Sequence, residues 1–243
     1  MEAAVAPRLD ALWVYLAASP LLWLAVTLVA YQLAFHVYER CGRNPLANPV
    51  LLSITFLVAL LSATGTSYQT YFDGAQFVHF LLGPATVALA VPLYAQLRRV
   101  RSMILPVVAG LVAGSLTAAL TAVAIARVLG ASLPTQLSLA PKSVTTPIAM
   151  GIAEHIGGIP SLTAVLVILT GIVGAISARA LFDAMKIRDP AIRGFAVGVA
   201  SHGIGTARAF QVSEEAGAFA ALAMGLNGAL TPLFLPTLVR WLV

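Results

Sequence analysis

The chain has 243 residues, of which 60% are hydrophobic and 9% charged, against roughly a quarter charged in an ordinary soluble domain. A globule of this size cannot hide so much apolar surface from water, so composition excludes a soluble fold and points to a bilayer. The net charge of +5 comes from 14 Lys and Arg, set in short clusters between apolar runs, as in cytoplasmic loops facing anionic lipid rather than in a nucleic-acid-binding face.

The first ten residues carry Glu2, Arg8 and Asp10, and a long apolar stretch follows directly. No cleavable signal peptide is therefore expected, and the stretch reads as a retained span. A membrane-crossing helix needs roughly 20 apolar residues. Ala11–Tyr38 lacks Asp, Glu, Lys and Arg, and Pro20 sets the start of its span, after an interfacial segment bearing Trp13 and Tyr15. Cys41, the single cysteine, can form no internal disulfide and reads as an ordinary reduced thiol. Pro49–Ala63 is a second span. Gly74–Leu97 is a third, interrupted by Gly83, Pro84 and Pro92. Met103–Ala126 is a fourth and contains Gly110-x-x-x-Gly114, a spacing that lets helices approach closely.

Two later stretches differ. Ser132–Ile156 is only moderately apolar and holds Lys142, Ser143, Thr145, Thr146, Pro147, Glu154 and His155. Arg193–Arg208 is short, glycine-rich, and carries Ser201, His202, Thr206 and Arg208. Between and after them lie two plain spans, Ile159–Ala178 and Ala216–Val239, the latter ending at the interfacial pair Arg240-Trp241. The expected fold is an all-α polytopic membrane protein of about seven or eight membrane segments. The two polar stretches cannot face lipid, where their polar groups would go unsatisfied, so they are expected to be broken or re-entrant. Placing the basic loops at 40–43, 98–101 and 186–193 in the cytoplasm puts the amino terminus outside. The stretch around Pro141–Glu154 must then come in and go out by the outer face; if it spans instead, the last third flips against the charge rule. A faint similarity of Gly83–Pro92 to Ala140–Pro147 suggests a single domain over 1–243 with repeat halves at 20–130 and 131–243, as in carriers whose broken helices mark the site.

Three clusters carry chemistry. Pro141 and Pro147 remove backbone donors and free carbonyls around Lys142, Ser143, Thr145 and Thr146, so the segment can hydrogen-bond a small polar ligand while Lys142 supplies charge for an anion. Lys142 could equally snorkel to the interface. Glu154 and His155 are proton carriers if intramembrane, or simply solvated if Gly157-Gly158 forms a surface turn. In Ser201–Arg208, a helix would put Ser201, Gly205 and Arg208 on one face and His202 and Thr206 on the next; Gly203 and Gly205 let a ligand or helix come close. Arg208 can take a carboxylate bidentately, or pair with Glu214 or Glu215. Asn227, alone in the last span, is expected to hydrogen-bond across helices. No zinc motif, nucleophile elbow or P-loop is present, so no enzyme, metal or cofactor is expected.

Pro141-Lys142-Ser143-Val144-Thr145-Thr146-Pro147-Ile148-Ala149 and Gly157-Gly158-Ile159-Pro160-Ser161-Leu162-Thr163-Ala164 strongly resemble the LrgB/CidB family. So do Asp189-Pro190-x-x-Arg193-Gly194, Ser201-His202-Gly203-Ile204-Gly205-Thr206-Ala207-Arg208, Glu215-Ala216-Gly217-Ala218-Phe219 and Asn44-Pro45-Leu46-x-Asn48-Pro49. Gly203-Ile204 stands where the family pattern has Ala-Leu. The resemblance implies a multi-pass protein of the bacterial inner membrane, a homo-oligomer, in the first place a dimer, and a separate LrgA-like partner. It carries two functions: an antiholin-like regulator of murein hydrolase export and autolysis, and, from the LrgB half of the plastidial glycolate/glycerate translocator and pyruvate-uptake relatives, a carrier of small monocarboxylates. The polar segments favour the carrier, with Lys142, Ser143, Thr145, Thr146, Ser201, His202, Gly203, Thr206 and Arg208 binding the acid. Lys142 and Arg208 are expected to converge on one cavity. His202, Glu154 and His155 are the candidates for proton coupling, His202 first.

Overall fold

Helix boundaries in this chain follow its prolines, asparagines and glycines. The structure, a computed structural model, describes residues 20–81, 84 and 87–242 and divides into two units, 1–88 and 89–243. Trp13, Tyr15 and Gly83 lie outside the described residues, and Pro84 is exposed.

In the first unit, α1 spans Pro20–Arg40, a 3₁₀ turn spans Pro45–Ala47, α2 spans Pro49–Thr64 and α3 spans Tyr68–Phe80. Asn48 accepts from the Val50 and Leu51 amides while Pro49 presets the first turn of α2, and Gly65 ends it at a φ of 63°. Trp23 of α1 is fully buried, its ring edge-on to Tyr71 of α3 at 5.8 Å.

The second unit holds α4 (Ala90–Ala95), α5 (Leu97–Ser102), α6 (Ile104–Val128), α7 (Leu133–Leu139), α8 (Thr146–Ile156), α9 (Pro160–Ala184), α10 (Pro190–Val212) and α11 (Glu214–Leu242). The expected third span over 74–97 is thus divided among α3, α4 and the start of α5. Among the described residues, four helices are long and apolar enough to cross a membrane: α1, α6, α9 and α11. Among the described residues there is no strand. This is the all-α, multi-pass membrane architecture that the composition demands.

Two elements of this unit are interrupted midway. The first is α7–α8, broken at Ala140–Thr145 between Pro134 and Pro147. Its returning arm ends at Gly157, φ 88°, and the next residues come back to α7: the Ile159 amide donates to Ser138 Oγ at 2.8 Å, and Thr163 Oγ1 to the Ser138 carbonyl at 3.1 Å. Gly158 is required there, since a Cβ would sit 3.0 Å from the Ser138 amide nitrogen.

The second is α10. His202 breaks it with φ 41° and ψ −135°, and the chain doubles back, so that a Cβ on Gly205 would lie 2.7 Å from the Val197 side chain. At the open end of this hairpin, Gly194 lies on the Ala216 carbonyl and Gly217 on the Phe210 ring, which brings both feet to the start of α11. The Gly110-x-x-x-Gly114 face of α6 packs on the inward arm at Phe195 and Val199. Both polar stretches are therefore re-entrant, as expected.

Candidate functional site at the meeting of two hairpin tips

A broken helix leaves carbonyls without partners, and lipid offers none. Here one side chain serves both breaks. Asn227 Nδ2 donates to the Ser143 carbonyl in the α7–α8 break (3.2 Å) and to the Val199 carbonyl just before the α10 turn (3.1 Å). Its Oδ1 accepts from Ser115 of α6 (2.6 Å) and from Thr231 one turn on (3.1 Å). Asn227 is 1% exposed and every polar capacity of its amide is used. Ser115 and Asn227 both sit near the middle of their helices, so the two tips meet at mid-span.

His202, at the α10 tip, is 4% exposed. Its Nε2 donates to the Val167 carbonyl of α9 at 2.9 Å, which puts the ring proton on that nitrogen. Glycines of α9 make the room: a Cβ on Gly171 would stand 2.7 Å from the imidazole, and one on Gly174 only 1.8 Å from Ser201 Oγ. Thr206 Oγ1 donates back to the His202 carbonyl at 2.8 Å, satisfying an oxygen that the turn frees. Gly203 and Thr206 both lie by Met224 of α11.

Lys142, at the other tip, is half-buried. Its Nζ donates to Ser143 Oγ at 3.2 Å, and no carboxylate lies in salt-bridge range among the described residues. Through Asn227 the break that carries Lys142 and Ser143 is tied to the Val199 carbonyl, just before Ser201 and His202. Thr145 and Thr146 lie half-buried at the start of α8, where Pro147 sets the first turn. A cleft between the α7–α8 break, α6 and α11, lined by Ser115, Pro141, Ser143, Asn227 and Thr231, measures about 10 Å³, room for about one water.

Other expected residues stand apart. Glu154 and His155 are exposed at the foot of α8, beside the Gly157 turn. Arg208 lies down the returning arm of α10, donates to Gln211 at 3.1 Å, and lines a different cavity, of about 360 Å³, which Lys142 does not line. The expected convergence of Lys142 and Arg208 on one cavity is absent because the reversal at His202 carries Arg208 away from the tip. Glu215, an alternative partner for Arg208, instead pairs with Arg99 of α5, as does Asp189 at 2.7 Å. Among the described residues, no group of three His, Cys, Asp or Glu could hold a metal. Sequence reasoning missed Ser115, Gly171 and Gly174. Of these, only Ser115, a hydroxyl within a predominantly apolar span, offered a signal.

Comparison with known proteins gives this arrangement a family. The family model described as LrgB-like matches residues 27–241. The Bacillus subtilis protein YxaC is 35% identical over 217 residues, covering 89% of this chain and 94% of the relative. A Staphylococcus epidermidis protein named as the holin-like protein CidB is 27% identical over 218 residues, covering 90% and 95%. No solved structure matches. Matched along nearly its whole length, the chain belongs to the LrgB-like family of multi-pass membrane proteins.

Proposed function

We propose that the chain is a membrane carrier for small monocarboxylates such as glycolate, glycerate or pyruvate. The observation that carries this reading is the pair of re-entrant tips tied together at mid-span by Asn227, with Lys142 and Ser143 on one and Ser201, His202 and Thr206 on the other. Paired discontinuous helices at the midplane are the usual binding arrangement of secondary carriers, and a half-buried ammonium without a carboxylate partner suits an acid anion. The cleft beside Ser143 and Asn227, at about 10 Å³, is too small for an organic acid, so uptake by this reading requires the tips to move. Movement of the hairpins against α6 and α11 would open it to alternate sides, within a homodimer or beside an LrgA-like partner.

The relatives' names support a second reading more directly: a holin-like or antiholin-like regulator of murein hydrolase export and autolysis. Proteoliposomes separate the two. With this protein alone, labelled glycolate or pyruvate should accumulate at a saturable rate, and Lys142→Ala should abolish uptake while the protein stays folded. Unsaturable leakage of every small solute, equal in Lys142→Ala, would favour the pore-associated reading and overturn the carrier.

A further inference from the structure

A groove of about 540 Å³ runs between α6 and the inward arm of α10. Met103, Gly110 and Gly114 lie on its α6 wall, and Ile192, Phe195 and Ala196 on its α10 wall. Among the described residues no polar side chain lines it.

Its depth in the bilayer follows from α6. At 1.5 Å per residue, Met103 to Gly114 is about 16 Å, close to one leaflet, half of the roughly 30 Å hydrocarbon core. Met103 marks the basic end, directly after the α5 arginines. Gly114 and Val199 mark the depth at which Asn227 holds Ser115 and the Val199 carbonyl. The whole α6 wall, Met103 to Ala118, is about 22 Å long, and 540 Å³ spread over that length leaves a cross-section of about 25 Å². That admits one extended hydrocarbon chain. A helix, about 10 Å across with its side chains, is too wide to enter.

The mouth of the groove is polar and basic. Tyr94, Gln96, Arg98, Arg99 and Ser102 line an open hollow there, of about 740 Å³. Hollow and groove share a corner: Ser102 precedes Met103 in the chain, and Arg99 reaches Asp189 and Glu215, two residues before Ala191 and one turn before Phe219, which both line the groove. The two carboxylates are thus committed to Arg99. Arg98 and Arg101 stand exposed on the same short helix, with no carboxylate in salt-bridge range among the described residues, so three arginines face two acids at this corner.

We propose that the groove and its mouth hold one molecule of an anionic phospholipid, an acyl chain lying between α6 and α10 and the phosphate at Arg98. The width of the groove selects a chain over a helix, and the charge at its mouth selects an anionic headgroup over a neutral one. The chain would pack on Phe195 and Ala196, in the arm that ends at His202, so the lipid would brace one of the two hairpins. The site stands without the transport reading, because it is defined by equilibrium binding.

The test uses the full chain in uncharged detergent, titrated with phosphatidylglycerol or with phosphatidylcholine of the same acyl chains. Native mass spectrometry counts the retained lipid, and melting temperature reports its effect. Wild type should retain one phosphatidylglycerol per chain and melt higher, saturably, with an apparent affinity about fivefold or more above that for phosphatidylcholine, the worth of one arginine near a membrane surface. Arg98→Gln should remove that preference. Ala196→Phe fills the groove and should lose retention of both lipids; should it fail to fold, Ala200→Leu, at an exposed lining position, takes its place. Leu233→Phe, in a separate apolar hollow beside α11, should behave as wild type. Equal affinity of wild type for the two lipids overturns the proposal, and so does retention that survives the groove-filling variants. Variants that keep the lipid but change the mass of the oligomer would make the groove a contact between copies of the chain, and the lipid site would fall. Lys142→Ala should keep the lipid response even where uptake is lost, which separates failure of this site from failure of the carrier reading.

Discussion

Asn227 and Ser143, 84 residues apart, are joined by a 3.2 Å hydrogen bond from the asparagine amide to the serine carbonyl. The same amide also holds the Val199 carbonyl, so one side chain of α11 fastens both re-entrant elements. Asn227→Leu should therefore destabilise the protein by about 1–3 kcal/mol, since hydrogen bonds inside membranes are each worth about 0.6 kcal/mol on average and here several carbonyls and hydroxyls lose a partner. Thr231→Val removes one contact and should cost about 0.5 kcal/mol. Thermal melting in detergent reads both. Equal melting of wild type and Asn227→Leu would refute the fastening role.

The glycines divide by what they face. Gly198→Ala would put its methyl 2.2 Å from the Ala220 carbonyl, a backbone atom that cannot swing away, and should cost about 1–3 kcal/mol or prevent folding. Gly174→Ala meets a side chain instead, at Ser201, so Ser201→Gly in the same molecule should restore much of the loss. Gly151 and Gly225 face open space in helices, and alanine there should be neutral or stabilising by up to about 1 kcal/mol. Expression and melting of the five proteins provide the comparison.

If uptake is proton-linked through the tip, an imposed acid-outside gradient should stimulate it in wild type and in Glu154→Gln, and should have no effect in His202→Gln. Glu154 is exposed at the foot of α8, whereas His202 is buried at the α10 tip. Stimulation kept in His202→Gln and lost in Glu154→Gln would move the proton site to the foot of α8.

Arg99 holds Asp189, which caps α10, and Glu215, in the first turn of α11, at the basic end of the second unit. All three side chains are partly exposed, at 39%, 38% and 24%. Arg99→Gln should therefore cost no more than about 1 kcal/mol, with the deficit shrinking as salt is raised. A larger loss, insensitive to salt, would mean that packing rather than charge holds this end.

Much of this was legible because membrane composition leaves few solutions. The spans α1, α6, α9 and α11 announce themselves by length, and the prolines at 141 and 147 announce the first break. The hydroxyls and charges of 201–208 announced that α10 could not face lipid, but not that it reverses. A histidine at positive φ has no sequence signature, and Ser201–Arg208 spaces its residues as a helix would. The misplaced expectation for Arg208 follows from that: a helix continuing past His202 keeps it near the tip, and a hairpin returns it to the foot. Nor does sequence reveal that Gly171 and Gly174, in the plainest span, are glycines for the sake of His202 and Ser201.

The Asn227 bridge also bears on how the protein is made. Ribosomes deliver the α7–α8 break and the α10 turn before the last helix, so during synthesis the Ser143 and Val199 carbonyls wait for a donor that arrives at residue 227. Until then neither hairpin is a finished insertion unit, and lipid cannot complete it. The last helix is therefore the keystone of biogenesis. Nascent chains halted short of it should be recognised by membrane quality control as unfinished, even though α6 and α9 have already crossed the bilayer.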